Sequence, residues 1–347
     1  MKILLIANMY PDEKTLMEAK LQPGVFIFHQ VKTIEEQGIE IIKAVKVMKN
    51  PLGYFPFMIQ SFYKLLFCDY DIVHAHYVPH SALIPAIMKW IRKKPLIVTF
   101  HGDDARIYPW KNFINRMLTL FVINRSDSII ARSDEMKSVL IKLGCPDHKI
   151  SVIGAGVDTS VFRPLDRKKA RNLLGLPADK QIILYVGRLH KMKGVRDLYE
   201  CAMRMPEVQF VIVGDGEEKT NQENCIFMGE KKHEDLPLWM SSADILALPS
   251  YSEGLPNVVM EALSCSTPAV VTNVGGCPEL VKDDVTGKVI NVKDINALEN
   301  SLRYLIKNEK IRLGMGIEGR KDMIKRYDHL MLMKRLVDVY KIYAGKR

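Results

Sequence analysis

Short apolar runs rich in β-branched residues alternate with longer amphipathic segments along the chain. The runs of the first half are residues 2–7, 39–45, 71–76, 96–100, 128–131 and 150–153. Continuous apolar runs of this length suit strands that crossover helices bury on both faces. The first half therefore predicts a parallel α/β sheet.

A loop region, 154–164, interrupts this pattern, and a second series of runs follows it. These runs are residues 182–187, 210–214, 225–229, 245–249 and 269–272. The pattern predicts an N-terminal domain over 1–158, a C-terminal domain over 159–327, and an amphipathic helix over 328–347. The helix is expected to cross the junction between the two domains. In one arrangement it packs back onto the first domain. Two doubly wound sheets of this kind are expected to face a central cleft and to bind ligands at the carboxyl ends of their strands.

The composition is that of a folded protein, with 48% apolar and 26% charged residues. Pro11, Asp12 and Glu13 interrupt the apolar N-terminus, which therefore predicts a buried strand rather than a signal peptide. The six cysteines lack C-x-x-C spacing, which disfavours a zinc site and a disulfide framework. No transmembrane segment is predicted, and a cytoplasmic location follows as the simplest expectation.

The net charge of +10 indicates a positive surface that could attract phosphates, nucleic acid or anionic lipid. Basic clusters at 89–94 and 163–171 are interpreted as solvated helix faces. No motif with interleaved aromatic residues supports a nucleic-acid partner. A segment with aromatic residues and one lysine would suit docking at the inner face of an anionic membrane that carries a lipid-linked acceptor, or would belong to the core. Its residues are Tyr54, Phe55, Phe57, Phe62 and Lys64.

Two glutamates follow the apolar run 245–249. Glu253 precedes a predicted helix, and Glu261 lies in its second turn, with Pro256 at an early helical position. Free N–H groups and the dipole at a helix N-terminus favour an anion such as a diphosphate. Carboxylates accept hydrogen bonds from sugar and ribose hydroxyls, so both glutamates are candidates for binding a ligand of this kind.

Two cations, Arg188 and Lys193, follow the run 182–187 beside the glycine turn at Gly194. Two fixed positive charges are what a departing diphosphate requires where no metal neutralises it. No metal cofactor is expected, because Asp103 and Asp104 are adjacent rather than spaced as D-x-D, and no His/Cys cluster has metal spacing.

These motifs resemble, in order, those of the retaining GT-B glycosyltransferases with an E-x7-E motif, the group 1 glycosyl transferases, over nearly the whole chain. The E-x7-E element is Glu253 and Glu261 in the setting S-E-G-L-P-N-V-V-M-E-A. The further similar segments are 156–164, 187–194, 213–216 and 275–279. The resemblance implies a GT-B fold of two Rossmann-like domains and the transfer of a sugar from a nucleotide donor.

The resemblance also implies roles for single residues. Glu261 would hold the ribose hydroxyls, Glu253 would contact the transferred sugar, and Arg188 with Lys193 would bind the diphosphate. Further donor contacts are expected from the loop and backbone positions Gly24, Gly187, Gly216, Lys231, Gly254, Leu255 and Asn257. The loop before Gly24 departs from the family's pattern, because it carries Pro23-Gly24 where the family has paired glycines.

In the first domain, the segment from His101 to Asp104 resembles the family's H-G-x-D element. It implies that the His101 side chain binds the donor sugar while its carbonyl faces the developing positive charge. His76 and Asp103 are the candidate acceptor residues. His74 and His76 are expected to point to opposite faces of their strand, and a structural role for these histidines is equally open.

The implied reaction is retaining transfer of a hexose or N-acetylhexosamine, from a UDP-sugar in preference to GDP-mannose, onto a hydroxyl acceptor. The expected setting is glycolipid, polysaccharide or cell-envelope glycan synthesis. A GT-B sugar-nucleotide epimerase and a non-catalytic sugar-nucleotide-binding protein are the alternatives. A dinucleotide-dependent oxidoreductase is disfavoured, because Lys219 stands where its fingerprint requires a third glycine.

Overall fold

The computed structural model describes residues 1–11, 24–46 and 53–345, except the side chain of Val25. The chain divides into two compact units, Met1–Ala155 with Leu330–Arg347, and Gly156–His329. Each unit contains a six-stranded, wholly parallel sheet with flanking helices. The predicted α/β architecture of two doubly wound parallel sheets is confirmed.

The sheet of the first unit has the strand order β2-β1-β3-β4-β5-β6. Its strands are β1 Lys2–Ala7, β2 Glu40–Val45, β3 Ile72–His76, β4 Leu96–Thr99, β5 Ser128–Ala131 and β6 Ile150–Val152. Its helices are α1 Val25–Glu36, α2 Tyr54–Phe67, α3 Leu83–Arg92, α4 Asp103–Arg106, α5 Phe113–Arg125, α6 Asp134–Leu143 and, at the end of the chain, α14 His329–Ala344.

The C-terminal helix α14 packs on one face of the first sheet. Leu332, Leu336 and Tyr340 share a buried cluster with Ile3 and Ile97 of the central strands. The predicted helical spacing of apolar residues thus corresponds to the face that α14 buries. On the opposite face of the sheet, α2, α3, α5 and α6 bury their inner sides in a separate cluster.

The sheet of the second unit has the order β12-β11-β10-β7-β8-β9. Its strands are β7 Ile182–Val186, β8 Gln209–Val213, β9 Cys225–Gly229, β10 Ile245–Leu248, β11 Ala269–Thr272 and β12 Gly287–Ile290. Its helices are α7 Arg167–Leu174, α8 Val195–Arg204, α9 Leu236–Ser242, α10 Asn257–Ser264, α11 Cys277–Leu280, α12 Ile295–Lys307 and α13 Glu309–Arg326.

Strands β7 and β10 are neighbours although 58 residues separate Val186 from Ile245 and two strands lie between them in the chain, so the connection order reverses at this pair. Ligands of doubly wound sheets bind at the carboxyl ends of the strands beside such a switch point. The edge strand β12 was not predicted. It lies at the edge of the sheet beside β11, and because it has only four residues and begins with a glycine, its local propensity for a strand is weak.

The interpretation of the basic cluster 163–171 as a solvated helix face is wrong for two of its arginines. Arg171 is only 6% exposed, and its guanidinium donates to Asp244 Oδ2 over 2.8 Å. Arg167 donates to Asp244 Oδ1 over 3.0 Å, and Arg312 approaches the same oxygen at 3.3 Å. The buried Asp244 carboxylate recruits these cations, because a buried charge needs partners.

Candidate functional site

An ion pair joins the loops that follow β7 and β10 at the switch point of the second sheet. Lys193 Nζ lies 2.8 Å from Glu253 Oε1, and Ser250 Oγ donates to the same oxygen over 2.7 Å. The Glu253 side chain is 9% exposed and that of Lys193 is 33% exposed. Among the described residues both contacts use Oε1, so Oε2 is available to accept a hydrogen bond from a ligand hydroxyl.

Glycines let the loops of this edge approach each other closely. A Cβ added at Gly194 would lie 1.9 Å from the carbonyl oxygen of Pro249, and one at Gly275 would lie 2.1 Å from that of Glu253. Both glycines have positive φ angles, 65° and 51°, which side-chain-bearing residues rarely adopt. Backbone contact with neighbouring loops therefore holds the position of Glu253.

Arg188 lies two residues after the end of β7, and its side chain is exposed. Its carbonyl accepts a hydrogen bond from Tyr185 Oη over 2.8 Å, and the next residue, Leu189, pairs with Gly216 after β8. The backbone of Arg188 is thus held, while no ion pair engages its guanidinium within the described residues. A cation of this kind can turn toward an anionic ligand.

Glu261 lies on α10 and is 5% exposed. Its Oε1 is 2.8 Å from Nε2 of His233. Burial disfavours the charged form of His233, but the hydrogen bond and charge of Glu261 outweigh it and raise the pKa of the imidazole. Pro256 precedes the first residue of α10 as its N-cap instead of lying inside the helix, a small correction to the predicted start.

His233 was not among the residues predicted for the site. Its side chain is 45% exposed, yet it pairs with a buried glutamate and lies beside Phe162, with ring centroids 5.1 Å apart. No local motif marks it, because its partner is 28 residues away. Lys231, two residues before it, follows β9 and places Nζ 5.5 Å from the ring centroid of Trp239.

The second unit therefore brings its predicted donor residues to the same end of its sheet. Gly187, Gly216, Lys231, Gly254 and Leu255 follow strands at this end, and Asn257 is the first residue of α10. The first N–H groups of a helix have no partner within it, so they can bind an anion there.

In the first unit, Asp104 and not the adjacent Asp103 holds the segment that follows β4. The backbone N–H groups of His101 and Gly102 donate to Asp104 Oδ1 over 2.9 and 2.8 Å. Asp104 is 8% exposed, whereas Asp103 is exposed. Burial raises the pKa of Asp104 to about 6, because its effect exceeds that of the backbone N–H groups, whose hydrogen bonds lower the pKa. Sequence reasoning selected Asp103 for the acceptor and did not recognise Asp104 as the residue that positions His101.

The expectation that His74 and His76 point to opposite faces is wrong. Their ring centroids are 4.2 Å apart, because residues two apart on a strand share a face. His74 bonds Tyr340 Oη at 2.6 Å and Thr99 Oγ1 at 2.7 Å, so both its nitrogens are engaged and its role is structural. Burial lowers its pKa to about 3.

His76 is fully buried, and its Nδ1 lies 3.1 Å from Nε2 of His101. Burial, followed by the charges of His74, His101 and Arg132, holds the pKa of His76 well below its usual range. Its Nε2 is buried without a hydrogen-bond partner among the described residues. The structure thus brings His76 to the predicted sugar-binding histidine, and its contact with an acceptor stays a prediction.

Arg132, which follows β5, was missed by the sequence reasoning. Its guanidinium lies 4.8 Å from the ring centroid of Phe26, and burial lowers its pKa to about 10. Gly24, at the start of α1, packs on the first loop of the unit, since a Cβ there would lie 2.7 Å from the carbonyl oxygen of Met9. The preceding part of the predicted phosphate loop, 21–23, lies outside the described residues.

Within the ranges that the structure describes, no three His, Cys, Asp or Glu side chains are grouped so that they could hold a metal ion. No helix in those ranges has both the length and the apolar character needed to cross a bilayer.

Two family models match successive parts of the chain. Residues 14–161 match the model described as Glycosyltransferase Family 4, and residues 166–322 match Glycosyl transferases group 1. The D-inositol 3-phosphate glycosyltransferase of Mycobacterium tuberculosis (strain ATCC 25618 / H37Rv) is 30% identical over 282 residues, covering 72% of this chain and 56% of that protein. The chain thus spans about half the length of the curated relatives it matches.

Solved structures share the fold over nearly the whole chain. Sucrose-phosphate synthase (tll1590) from Thermosynechococcus elongatus has a TM-score of 0.81 at 19% identity, covering 98% of both chains. Anabaena Alr3699/HepE, solved in complex with UDP, has a TM-score of 0.79 at 21% identity, covering 99% of this chain and 100% of that chain. Because the two family models match in order over most of its length, the chain belongs to the glycosyltransferases, with a family 4 N-terminal domain followed by a group 1 C-terminal domain, and the solved structures show that it has the GT-B fold.

Proposed function

We propose that this protein is a retaining glycosyltransferase that moves a hexose or N-acetylhexosamine from a nucleoside diphosphate sugar to a hydroxyl acceptor. UDP-sugars are proposed as donors in preference to GDP-mannose, and the setting as glycolipid, polysaccharide or cell-envelope glycan synthesis. The observation that carries the proposal is the pairing of Lys193 with Glu253 beside the helix that presents Glu261.

The four charged residues of the candidate site in the second unit each have a proposed task. The Arg188 and Lys193 cations and the N-terminal N–H groups of α10 would stabilise the diphosphate as negative charge develops on it. Glu253 Oε2 would accept from a hydroxyl of the transferred sugar, and Glu261 would accept from the ribose. Because Lys193 already neutralises Glu253, a bound diphosphate would share this cation, so the ion pair links recognition of the sugar to recognition of the phosphate.

The proposed reaction occurs on one face of the sugar. The bond between the anomeric carbon and the diphosphate oxygen breaks, the acceptor oxygen bonds to that carbon, and the acceptor proton moves to the departing phosphate oxygen. Glu253 is held by Lys193 and Ser250 through Oε1, an arrangement that suits hydroxyl binding better than nucleophilic attack. No metal cofactor is proposed, since the two cations supply the charge. In the first unit, His101 would bind the donor sugar.

Support for a UDP-sugar comes from Anabaena Alr3699/HepE, which was also solved in complex with UDP-glucose. At 21% identity that likeness concerns the fold, so the base preference depends on experiment. A thermal-shift screen of UDP-glucose, UDP-galactose, UDP-N-acetylglucosamine and GDP-mannose tests it, because a bound donor stabilises the folded state. Stabilisation by GDP-mannose alone would refute the preference for UDP.

A pair of variants tests the assignment of the glutamates. Glu261→Gln should weaken the binding of UDP and of the UDP-sugar alike, because both ligands carry the ribose. Glu253→Gln should weaken the binding of the UDP-sugar while the binding of UDP stays nearly unchanged. Glu318→Gln, on an exposed surface of α13, is the matched control. Equal effects of both variants on both ligands would contradict the assignment.

Activity itself is tested with a panel of hydroxyl acceptors in EDTA. Transfer with retained anomeric configuration is expected. Epimerised sugar nucleotide without transfer would indicate the epimerase, and donor binding without turnover on any acceptor would indicate a non-catalytic binding protein. Loss of activity in EDTA would overturn the absence of a metal.

A further inference from the structure

Three helices of the first unit expose large apolar side chains to solvent. The most exposed are Phe55 and Phe67 on α2, Trp90 on α3, and Phe113 on α5, at 70–75%. Eight more on these helices are also exposed: Met58, Ile59, Phe62, Tyr63, Ile87, Ile91, Ile114 and Met117. Single exposed apolar residues are ordinary, whereas a contiguous group indicates an interaction surface.

The three helices lie side by side on one face of the sheet. Helix α2 packs against α3, and α3 packs against α5. Their inner sides carry Phe57, Leu65, Met88 and Val122 in the buried core. Core formation therefore accounts for one side of each helix and leaves the opposite, apolar side unexplained. We call the outer side of α2, α3 and α5 the basic apolar surface.

The charge of these helices has one sign. None of them contains an aspartate or a glutamate, while five cations lie on them: Lys64, Lys89, Arg92, Arg116 and Arg125. Lys89 is paired with Asp127, outside the three helices. Arg125 lies 4.9 Å from the ring centroid of Trp90, on the neighbouring helix. Aromatic residues with adjacent cations suit the boundary between apolar chains and anionic headgroups.

A basic groove adjoins this surface. A cavity of about 540 Å³ is lined by Lys89, Lys93, Lys94 and Lys149, together with the acidic Asp71 and Asp127. A second cavity, lined by Trp90 and Arg125, shares Lys89 and Lys93 with it. The excess of lysine makes the groove attractive to a phosphate group, and Trp90 connects it to the exposed apolar side chains.

We propose that the basic apolar surface docks this protein on an anionic lipid bilayer. The aromatic and aliphatic side chains enter the headgroup region, while the flanking cations contact lipid phosphates. A polyanionic sheet of lipid complements a surface of one charge sign over all three helices. The assignment of a lipid-linked acceptor rests on the proposed function, whereas docking itself does not depend on it.

The charge distribution disfavours a second copy of this chain as the occupant. A two-fold contact places the same patch on both partners, so the cations of one copy would face those of the other. With no carboxylate on the three helices to pair with them, desolvation of those cations would oppose association.

Co-sedimentation with vesicles tests the proposal. One vesicle contains phosphatidylcholine alone, and the other contains one part in three of phosphatidylglycerol. The triple variant Phe55→Ser, Trp90→Ser, Phe113→Ser removes one highly exposed side chain from each helix. The matched control Leu173→Ser, Met203→Ser, Leu330→Ser removes three side chains that are 76%, 63% and 64% exposed elsewhere.

The full chain should bind the anionic vesicles at low salt, bind neutral vesicles weakly, and lose binding at high salt. The triple variant should bind about tenfold more weakly, while the control stays within about twofold of the parent. Equal binding by the parent and the triple variant, or equal binding to both vesicles, would overturn the proposal. A dimer that the triple variant abolishes, without vesicle binding, would assign the surface to a second copy and also overturn it.

The vesicle experiment is independent of the donor chemistry. Stabilisation by a UDP-sugar in vesicle-free buffer reports on the proposed function alone. Vesicle binding without donor binding would support the docking surface and contradict the proposed transferase function. Donor binding without vesicle binding would support the proposed function and contradict the docking surface.

Discussion

The ammonium group of Lys193 and the carboxylate of Glu253 pair at 2.8 Å although they lie 60 positions apart in the chain. The pair joins the loops after two neighbouring parallel strands. It holds a mostly buried acid next to a cation that remains one-third exposed. In the proposed reaction, one contact therefore positions the group that reads the sugar and the group that stabilises the phosphate.

Replacement of Lys193 by Met should lower turnover by about 10²–10³-fold, as the loss of one preorganised charge typically does. The Lys193 cation is also the partner of Glu253, so affinity for the intact donor should fall as well. Lys191→Met, two residues earlier on the same exposed turn, is the control and should keep normal rates. Steady-state kinetics with a UDP-sugar measures both, and near-normal rates for Lys193→Met would remove Lys193 from the phosphate site.

Gly194→Ala should destabilise the second unit far more than Gly175→Ala. Both glycines have a φ of 65°, so the backbone strain of the substitution is the same. A Cβ at Gly194 would lie 1.9 Å from the Pro249 carbonyl oxygen, whereas nothing lies within 4 Å of one at Gly175. Thermal unfolding should show about 1–3 kcal/mol of additional loss at Gly194 from overpacking. Equal losses would mean that the loops move apart at little cost.

The first unit should lose stability as the pH falls below about 6.5. Burial depresses the pKa of His74 to about 3 and holds that of His76 well below its usual range. Because the unfolded chain binds these protons more readily, the stabilising effect is complete above the unfolded pKa and is lost as the pH falls toward the folded one. Each such histidine contributes a slope of up to about 1.4 kcal/mol per pH unit.

His74→Gln should remove about one proton from that slope, because Gln does not titrate. Unfolding by urea between pH 7 and pH 5 measures it. A slope unchanged from the parent chain would show that His74 does not drive acid unfolding.

His233 should act with the opposite sign in the second unit. Glu261 raises the pKa of His233, so the stabilisation by this pair is complete below the unfolded pKa of about 6.5 and is lost as the pH rises through the folded value. The difference in Tm between the parent chain and His233→Ala should therefore shrink from pH 6 to pH 8. His148→Ala, a substitution at an exposed histidine, is the control. A difference in Tm that is constant with pH would argue that His233 acts only by packing against Phe162.

Substitutions of Asp104 and of Asp103 should have different effects on stability and turnover. Asp104→Ala leaves the N–H groups of His101 and Gly102 without their carboxylate, so turnover and thermal stability should both fall, turnover by about 10-fold or more. Asp103→Ala, at an exposed position, should leave stability intact and raise the acceptor KM if it contacts the acceptor as predicted. Loss of stability in Asp103→Ala, or normal turnover in Asp104→Ala, would contradict these roles.

Local pattern in the sequence sufficed to predict both sheets and the helix α14, because buried parallel strands read as continuous apolar runs. It also placed Glu253 and Glu261 before and within a helix, since turn and helix signals are local. The edge strand β12 was not predicted, because it is a run of only four residues that begins with a glycine, a weak local signal for a strand.

Tertiary structure alone decided which charged and polar groups meet. Asp244 recruits Arg171 and Arg312, Asp104 rather than Asp103 holds His101, and His233 pairs with Glu261. The contacts of Asp244 and His233 join distant segments, and Asp104, although only three residues from His101, differs from Asp103 by its burial. Local periodicity in the sequence predicts neither. The sequence by itself determined the fold and the identity of the chemical groups. Folding selected the partners of these groups, because a charge requires a partner once it is buried, and burial is decided by the tertiary structure.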